Sequence, residues 1–382
     1  MARKKEQGNG TGTVYPRKNK AGKVIGYRGS YFTADGRRRY VSAKTKTEAR
    51  RALRQAMADA DRGLIFDAEG LKVGEYLDRW LADSVNGTVR TTTFERYEQI
   101  TRVHLKPTLG QLKLKALTPA HVRGLYKEKL KTLSPRTVQY IHVTLHKALS
   151  QAVMDGLIPR NATEAVKPPQ VRREEIRPLT PDQVKALLDA ASGDRLEALY
   201  VLAVHTGLRQ GELLALRWDD VDLESGTLQV RRTLSMTKDG PAFTAPKTAG
   251  SRRSVKLTNA SAEALRGHLK RQLAEMDKAG SLWRAGEYDG LIFASETGMP
   301  LDRRDLTTRR FKPLLRRAGL PQIRFHDLRH TCATLLLSRN VNPKIVSEML
   351  GHATIAITLD TYSHVLPNMR DTAAKALEEA LS

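Results

Sequence analysis

The sequence predicts a multidomain, mainly α protein with small β-sheets, and three observations predict it. Short β-prone segments separated by turn residues cluster in the first 41 residues. Beyond them, apolar positions recur at helical spacing through two long stretches. Between these stretches, residues 159–178 hold Pro159, Pro168, Pro169 and Pro178 among basic residues, the composition of a linker. A chain of 382 residues with 40% hydrophobic and 28% charged content can build two or three domains of ordinary composition.

In residues 1–65, strands are expected at 12–15, 24–32 and 38–41, with turns at 20–23 and at Asp35-Gly36. A helix opens at Thr45-Lys46-Thr47-Glu48 and runs through Ala49, Leu53 and Ala56. The reading is a three-stranded sheet with one helix against it. Arg28, Arg37, Arg38 and Arg39 lie on or beside its strands, where a sheet can present them to a nucleic-acid groove. A solvated basic face is the plainer alternative.

Residues 71–158 read as four helices. Val73, Leu77, Trp80 and Leu81 form a stripe, and Phe94, Tyr97 and Ile100 form another within 91–103. Thr118-Pro119 and Ser134-Pro135 each place a capping hydroxyl before a proline in the first turn. The linker follows; its Arg172 and Arg173 are candidates for crossing a phosphate backbone, though a plain tether also explains them.

Thr180-Pro181-Asp182-Gln183 is a capping box that opens a third region, 179–382. Helices are expected through 184–191 and 196–206, near Arg209, and over 259–277, 303–317, 326–338, 342–349 and 369–381. Strands are expected at 227–230 and 253–257. This region reads as a mostly helical domain with a small sheet.

Charge narrows the function. The chain has 65 Lys or Arg against 41 Asp or Glu, a net +24. Residues 1–65 hold 17 basic and 5 acidic side chains, a net +12, so half the excess lies there. Such a field gathers polyanions and disfavours an ordinary metabolic enzyme. A single cysteine, Cys332, excludes an internal disulfide framework and reads as a buried structural thiol. No stretch approaches 18 apolar residues and no apolar segment follows the basic N-terminus, so a cytoplasmic protein without membrane contact is expected.

The third region also carries a scattered polar set: Arg209, Lys247, His326, Arg329, His352 and Tyr362. Singly, each has a bland reading as a surface arginine, a structural histidine or a packed aromatic. Together they suit a phosphodiester. Negative charge that builds on non-bridging oxygens needs convergent donors, and guanidinium forks onto phosphate oxygens with two hydrogen bonds. His326 and Arg329 are three apart where the chain turns helical, so one helix face can carry both. Neither a DxD pair nor an HExxH is present where a metal site would be expected, so no metal and no cofactor is expected; Asp327 reads as helix-orienting and Glu212 as support near Arg209.

The stretch Thr206-Gly207-Leu208-Arg209-Gln210-Gly211-Glu212, then His326-Asp327-Leu328-Arg329-His330, Leu350-Gly351-His352 and Tyr362-Ser363-His364, resembles the tyrosine recombinase family in its phage and mobile-element integrase branch. Pro246-Lys247-Thr248 with Ser251-Arg252-Arg253 resembles the hairpin that carries the family's lysine. The resemblance implies an arm-type DNA-binding domain at 1–65, a core-type DNA-binding domain at 71–158 and a catalytic domain at 179–382. It implies Tyr362 as the nucleophile forming a 3′-phosphotyrosyl bond, with Arg209 and Arg329 clamping the phosphate. It further implies Lys247 as general acid, His326 in proton handling and His352 as a hydrogen-bond donor to phosphate. It also implies double-stranded attachment sites, a homotetramer on DNA, the segment 369–381 docked on a neighbouring subunit, and a DNA-bending protein and an excisionase as candidate partners.

The function expected is therefore a site-specific integrase that integrates and excises a mobile element. A resolvase or inversion enzyme of the same family fits less well, because the basic sheet region is an added module. A type IB topoisomerase and a non-catalytic DNA-binding protein fit less well again, because the separate N-terminal modules argue against the first and the intact catalytic set against the second.

Overall fold

The computed structural model describes residues 12–19, 22–32, 38–61, 70–171, 177–245, 252–284, 286–362, 378–379 and 381. The chain forms two compact units, Met1–Arg173 and Glu174–Ser382.

The first unit begins with an antiparallel sheet in the order β1 (Thr13–Lys18), β2 (Val24–Phe32), β3 (Arg38–Ala43). Helix α1 (Lys46–Asp61) packs on it; Thr45 and Glu48 cap the helix reciprocally, side chain to backbone, at 3.2 Å each way. Ala49 and Leu53 are buried against Gly29, where a Cβ would lie 2.9 Å from Val41 Cγ2 and 3.2 Å from Leu53 Cβ. Glycine there lets helix and sheet close up. Strand alternation sends Arg28, Ser30, Phe32, Arg38 and Tyr40 to the other face. Arg28 stands over the Tyr40 ring at 4.0 Å, and Arg38 lies 5.7 Å from the same ring. Arg39, opposite buried Tyr31 in the register, belongs to the α1 side.

Four helical rods follow, as the apolar stripes predict. The first is α2 (Val73–Arg79) with a π-helical turn to Val85, and the second is α3 (Thr91–Ile100), a π turn, and α4 (Lys106–Leu109). The others are α5 (Pro119–Lys129) and α6 (Pro135–Met154), started by Thr118 and Ser134 as the sequence predicts. The second rod outruns its expected end at 103. Pro107 lacks the amide and crowds the preceding turn, and the wider π turn at Thr101–Leu105 lets the helix continue past it. Leu77, Leu105, Val122, Ile141 and Leu145 centre the core. The segment read as a linker from 159 does not leave at once: Ala162 and Val166 join this core, and Asn161 donates to the His146 carbonyl at 2.9 Å. Its prolines masked those small apolar anchors.

The second unit opens with α7 (Pro181–Ala191), closed by the predicted Thr180–Gln183 box. Helix α8 (Glu197–Thr206) is apolar on nearly every side and is buried accordingly. A short α9 (Gln210–Leu213) leads to β4 (Val221–Asp222), β5 (Thr227–Val230), the hairpin β6 (Thr233–Thr237) and β7 (Gly240–Thr244), and β8 (Arg253–Lys256). The sheet order is β4-β5-β8, antiparallel, and β6-β7 pairs separately. Then come α10 (Asn259–Ala279), α11 (Arg303–Asp305), a π turn, α12 (Lys312–Arg317), α13 (Asp327–Ser338), α14 (Pro343–Leu350) and α15 (Ile355–Tyr362). Leu199, Leu202, Leu213, Phe293, Phe311, Leu314 and Leu328 lie in the main core, and α13–α15 close over a smaller one. The expected helix 369–381 lies outside the described residues, apart from 378, 379 and 381. Among the described residues, no helix is long and apolar enough to cross a membrane.

Candidate active site

Two left-handed glycine turns assemble the site. Helix α8 ends at Gly207 (φ 61°) and α14 ends at Gly351 (φ 67°), conformations that glycine adopts without strain. Each turn offers its carbonyl to an arginine from elsewhere in the chain. Gly207 O accepts from Arg329 Nη1 at 2.8 Å, and Gly351 O accepts from Arg209 Nη2 at 3.2 Å. The two arginines are thus fixed by the very turns that bring α8, α13 and α14 together. A Cβ on Gly207 would meet Leu350 Cδ2 at 2.5 Å, so the packing also requires glycine for space.

Glu212 is the anionic centre. It is 3% exposed and accepts from Arg209 Nη1 at 2.7 Å, from the Arg209 backbone N–H at 3.0 Å and from Arg253 Nη2 at 2.9 Å. Burial works to raise its pKa, but Arg253 and Arg209 outweigh it and hold the carboxyl below its ordinary value. Arg329, 3% exposed, has its pKa lowered to about 9, first by burial and then by Arg209 and Arg253; it stays charged at neutral pH. Its Nη2 is buried with no hydrogen-bond partner among the described residues. A buried guanidinium nitrogen without an acceptor is costly, and an anionic oxygen is the group that would satisfy it.

The histidines and the tyrosine form the other half. Tyr362 ends α15 and is 1% exposed, and its hydroxyl lies 2.7 Å from His330 Nδ1. Burial raises the phenol pKa to about 12, against the pull of Arg329. The His330 pKa is lowered by burial foremost, so its ring is neutral at pH 7. His326, at the start of α13, stands edge-on to His330 with ring centroids 5.1 Å apart. Desolvation by neighbouring groups, then His330, Arg329 and Arg209, lower the His326 pKa, although solvent still reaches the ring. His352 follows Gly351, and its Nδ1 lies 2.7 Å from Thr358 Oγ1, which turns the ring. Burial first, then Arg329, Arg209 and Arg253, lower its pKa to about 4.

Five of the six residues singled out in the sequence, Arg209, His326, Arg329, His352 and Tyr362, therefore come from distant segments into one cationic site. Lys247 lies outside the described residues, as do Arg37, Arg172 and Arg173. Arg28 and Arg38 share the outward sheet face of the first unit, and Arg39 does not. Asp327 is held by Arg324, with Nη2 to Oδ1 at 2.8 Å, in keeping with an orienting role. Two residues escaped the sequence reading. His330, not His326, meets the tyrosine hydroxyl, and its signal was a position four after His326 on the same helix. Arg253 shares the inward face of β8 with buried Val255, and a charge on that face was its signal. Among the described residues, no group of three or more His, Cys, Asp or Glu is arranged to hold a metal ion.

Residues 177–369 match the Phage integrase family, and residues 72–139 match its N-terminal SAM-like domain. The chain belongs to the phage integrase family of tyrosine recombinases. It is 32% identical over 359 residues to a XerC-like tyrosine recombinase of Caldanaerobacter subterraneus subsp. tengcongensis, covering 90% of this chain and 92% of that one. It is 31% identical over 350 residues to an integrase of Streptomyces ambofaciens, covering 88% and 87%. Among solved structures, the Tn1549 transposon integrase in complex with transposon right end DNA has the same fold. Its TM-score is 0.69 at 23% identity, covering 82% of this chain and 100% of that one. The protein is accordingly a site-specific recombinase of the tyrosine type, with an N-terminal sheet and a mostly helical C-terminal region.

Proposed function

We propose that this recombinase integrates and excises a mobile element through a 3′-phosphotyrosyl intermediate. The observation that carries the reading is the Tyr362 hydroxyl, bonded at 2.7 Å to a neutral histidine in the electrostatic reach of Arg329. Tyr362 Oη attacks the scissile phosphorus; the Oη–P bond forms and the P–O5′ bond breaks. The phenol proton passes to His330, with His326 beside it, and Lys247 protonates the departing 5′-oxygen. Arg209 and Arg329 bind the non-bridging oxygens, the unpartnered Arg329 Nη2 among their donors, and His352 adds a further hydrogen bond. The covalent bond conserves the phosphodiester energy, so rejoining is the reverse step and needs no ATP.

The sheet of residues 1–65, with Arg28, Arg38 and their aromatic neighbours outward, is proposed to bind arm-type sites; the helices of 71–158 bind the core site, and 179–382 cleaves. The working species is a homotetramer on two duplex attachment sites, with a DNA-bending protein and an excisionase as candidate partners. The integrase reading, as distinct from the assembly and partners, is supported by the integrase relative that matches along most of its length. A nicked suicide duplex bearing the attachment site should trap a covalent adduct. Tyr362→Phe should abolish it and leave DNA affinity within about twofold. An adduct that survives the substitution overturns the nucleophile assignment.

A further inference from the structure

Arg253 has no part in the chemistry above, yet it touches more of the site's framework than any residue that does. Its side chain is 6% exposed. Nε donates to Met349 O at 2.6 Å, and Nη2 donates to Glu212 Oε2 at 2.9 Å. The guanidinium also lies close against the glycine turn, where a Cβ on Gly351 would fall 2.9 Å from Nη1 and 3.2 Å from Cζ. One rigid planar group therefore meets two separate supports of the site. Through Glu212 it reaches Arg209, whose Nη1 shares that carboxylate at 2.7 Å. Through Met349 O and Gly351 it sets the turn that ends α14 and carries His352. Gly351 O in turn accepts from Arg209, so the contacts close a ring: Arg253, Glu212, Arg209, Gly351 and back to Arg253.

The mounting is stiff. Arg253 pairs with Val230 in the β5–β8 ladder, so its backbone belongs to the sheet. Its donors lie in a fixed fork, so the separation of the Glu212 and Met349 acceptors is set by covalent geometry. A lysine in its place brings a point charge on a flexible stem and can serve one acceptor well but not both.

We infer that Arg253 is a positioning residue for strand cleavage, holding Arg209 and the His352 turn in one geometry through Glu212 and the Met349 carbonyl. The inference rests on the phosphotyrosyl reading above. Its effect falls on the cleavage step and not on DNA affinity, because the described donors of Arg253 point into the protein and a displacement of about 1 Å at a phosphate clamp costs on the order of 100-fold in rate.

The test uses the full-length protein at saturating concentration on the nicked suicide duplex, with single-turnover adduct formation and DNA affinity measured separately. Arg253→Ala should cleave about 100-fold more slowly with affinity within about threefold. Added guanidinium ion at tens of millimolar should restore at least a tenth of the lost rate to Arg253→Ala, since it refills the vacated fork. Arg253→Lys keeps the charge and most of the volume, so it carries the test if the alanine variant fails to fold. It should cleave at least tenfold more slowly at unchanged affinity, with no response to guanidinium. Wild-type cleavage in either folded variant overturns the inference, as does a rate loss matched by an equal loss of affinity. An adduct absent from the wild type itself would instead sink the phosphotyrosyl reading and this inference with it. Wild-type adduct that needs Tyr362 but is indifferent to Arg253 sinks the inference alone.

Discussion

Replacing Glu212 with glutamine isolates the charge that holds the cationic site together. The amide matches the carboxylate in shape, so no cavity forms. With its carbonyl oxygen at the Oε2 position it can still accept from Arg253 Nη2 and the Arg209 backbone N–H, but its NH2 group must then face the Arg209 Nη1 donor. Arg253, with 6% of its side chain exposed, then loses the buried charge of Glu212, whereas Arg209, 38% exposed, is partly relieved by water. Removing one partner of a buried ion pair costs about 3–5 kcal/mol. With the screened Arg209 share discounted, about 3 kcal/mol is expected here. For a unit of this size that lowers the unfolding midpoint by roughly 6–12 °C. The sign of the pH dependence follows from the depressed Glu212 pKa. Its stabilisation is complete above the unfolded carboxyl value of about 4.3 and is lost as pH falls through the lower folded value. The gap between wild type and Glu212→Gln, followed by thermal or urea unfolding of the transition that reports Trp218 and Trp283, should therefore be widest near pH 7. It should shrink below about pH 4. Taking the difference removes the other carboxylates, which titrate in both proteins. Equal stability at pH 7, or a gap that does not narrow in acid, would refute the reasoning.

Two further outcomes are expected. If neutral His330 receives the tyrosine proton, cleavage should fall as pH drops below the ordinary imidazole range, and His330→Gln should be at least about 100-fold slower. Its pH–rate profile should lack the acid limb; a profile that keeps it would assign that limb to another group. Gly351→Ala must place a Cβ 2.9 Å from Arg253 Nη1 at a φ of 67°, so urea denaturation should show a loss of about 1–3 kcal/mol together with slower cleavage. Gly193→Ala, at φ 74° with nothing within 4 Å of the added carbon, controls for strain without contact and should leave cleavage unchanged.

Local rules made much of the fold legible. Thr118-Pro119, Ser134-Pro135 and Thr180-Pro181 start helices where the sequence places them, because capping acts within one turn. The hairpin β6–β7, closed by the two-residue turn Lys238-Asp239, escaped notice. Its five-residue strands are mostly half-buried and show too little alternation to stand out. The continuation of helix across Lys106-Pro107 was hidden, whereas that across Lys312-Pro313 falls within the expected helix 303–317. In both places a π turn precedes the proline, and a wider hydrogen-bond spacing leaves no signature in side-chain periodicity. The site divides in the same way. Arg209, His326, Arg329, His352 and Tyr362 sit in short motifs whose residue types declare phosphate chemistry. The pairing of Glu212 with Arg253, 41 residues apart, depends on how β8 lies against α9, and no local pattern encodes it.

The arrangement explains how such a site can exist before DNA arrives. Burial foremost, and then Arg209 and Arg253, lower the tendency of Arg329 to stay charged, and His352 and His326 feel the field of Arg329 and Arg209. Among the described residues Glu212 alone cannot neutralise three guanidinium groups, and burial first, with the remaining positive field second, keeps the histidines neutral. Neutral histidines are what proton transfer from tyrosine requires, and uncompensated arginines are what a phosphate requires. Glu212 binds to Arg209 and Arg253 but makes no hydrogen bond to Arg329, whose Nη2 has no partner among the described residues. The carboxylate thus stabilises the frame while Arg329, in the proposed reaction, keeps a donor for the incoming anion. A negative charge that grows on that anion during attack gains more from this field than the ground-state phosphate does, and that difference lowers the barrier to cleavage.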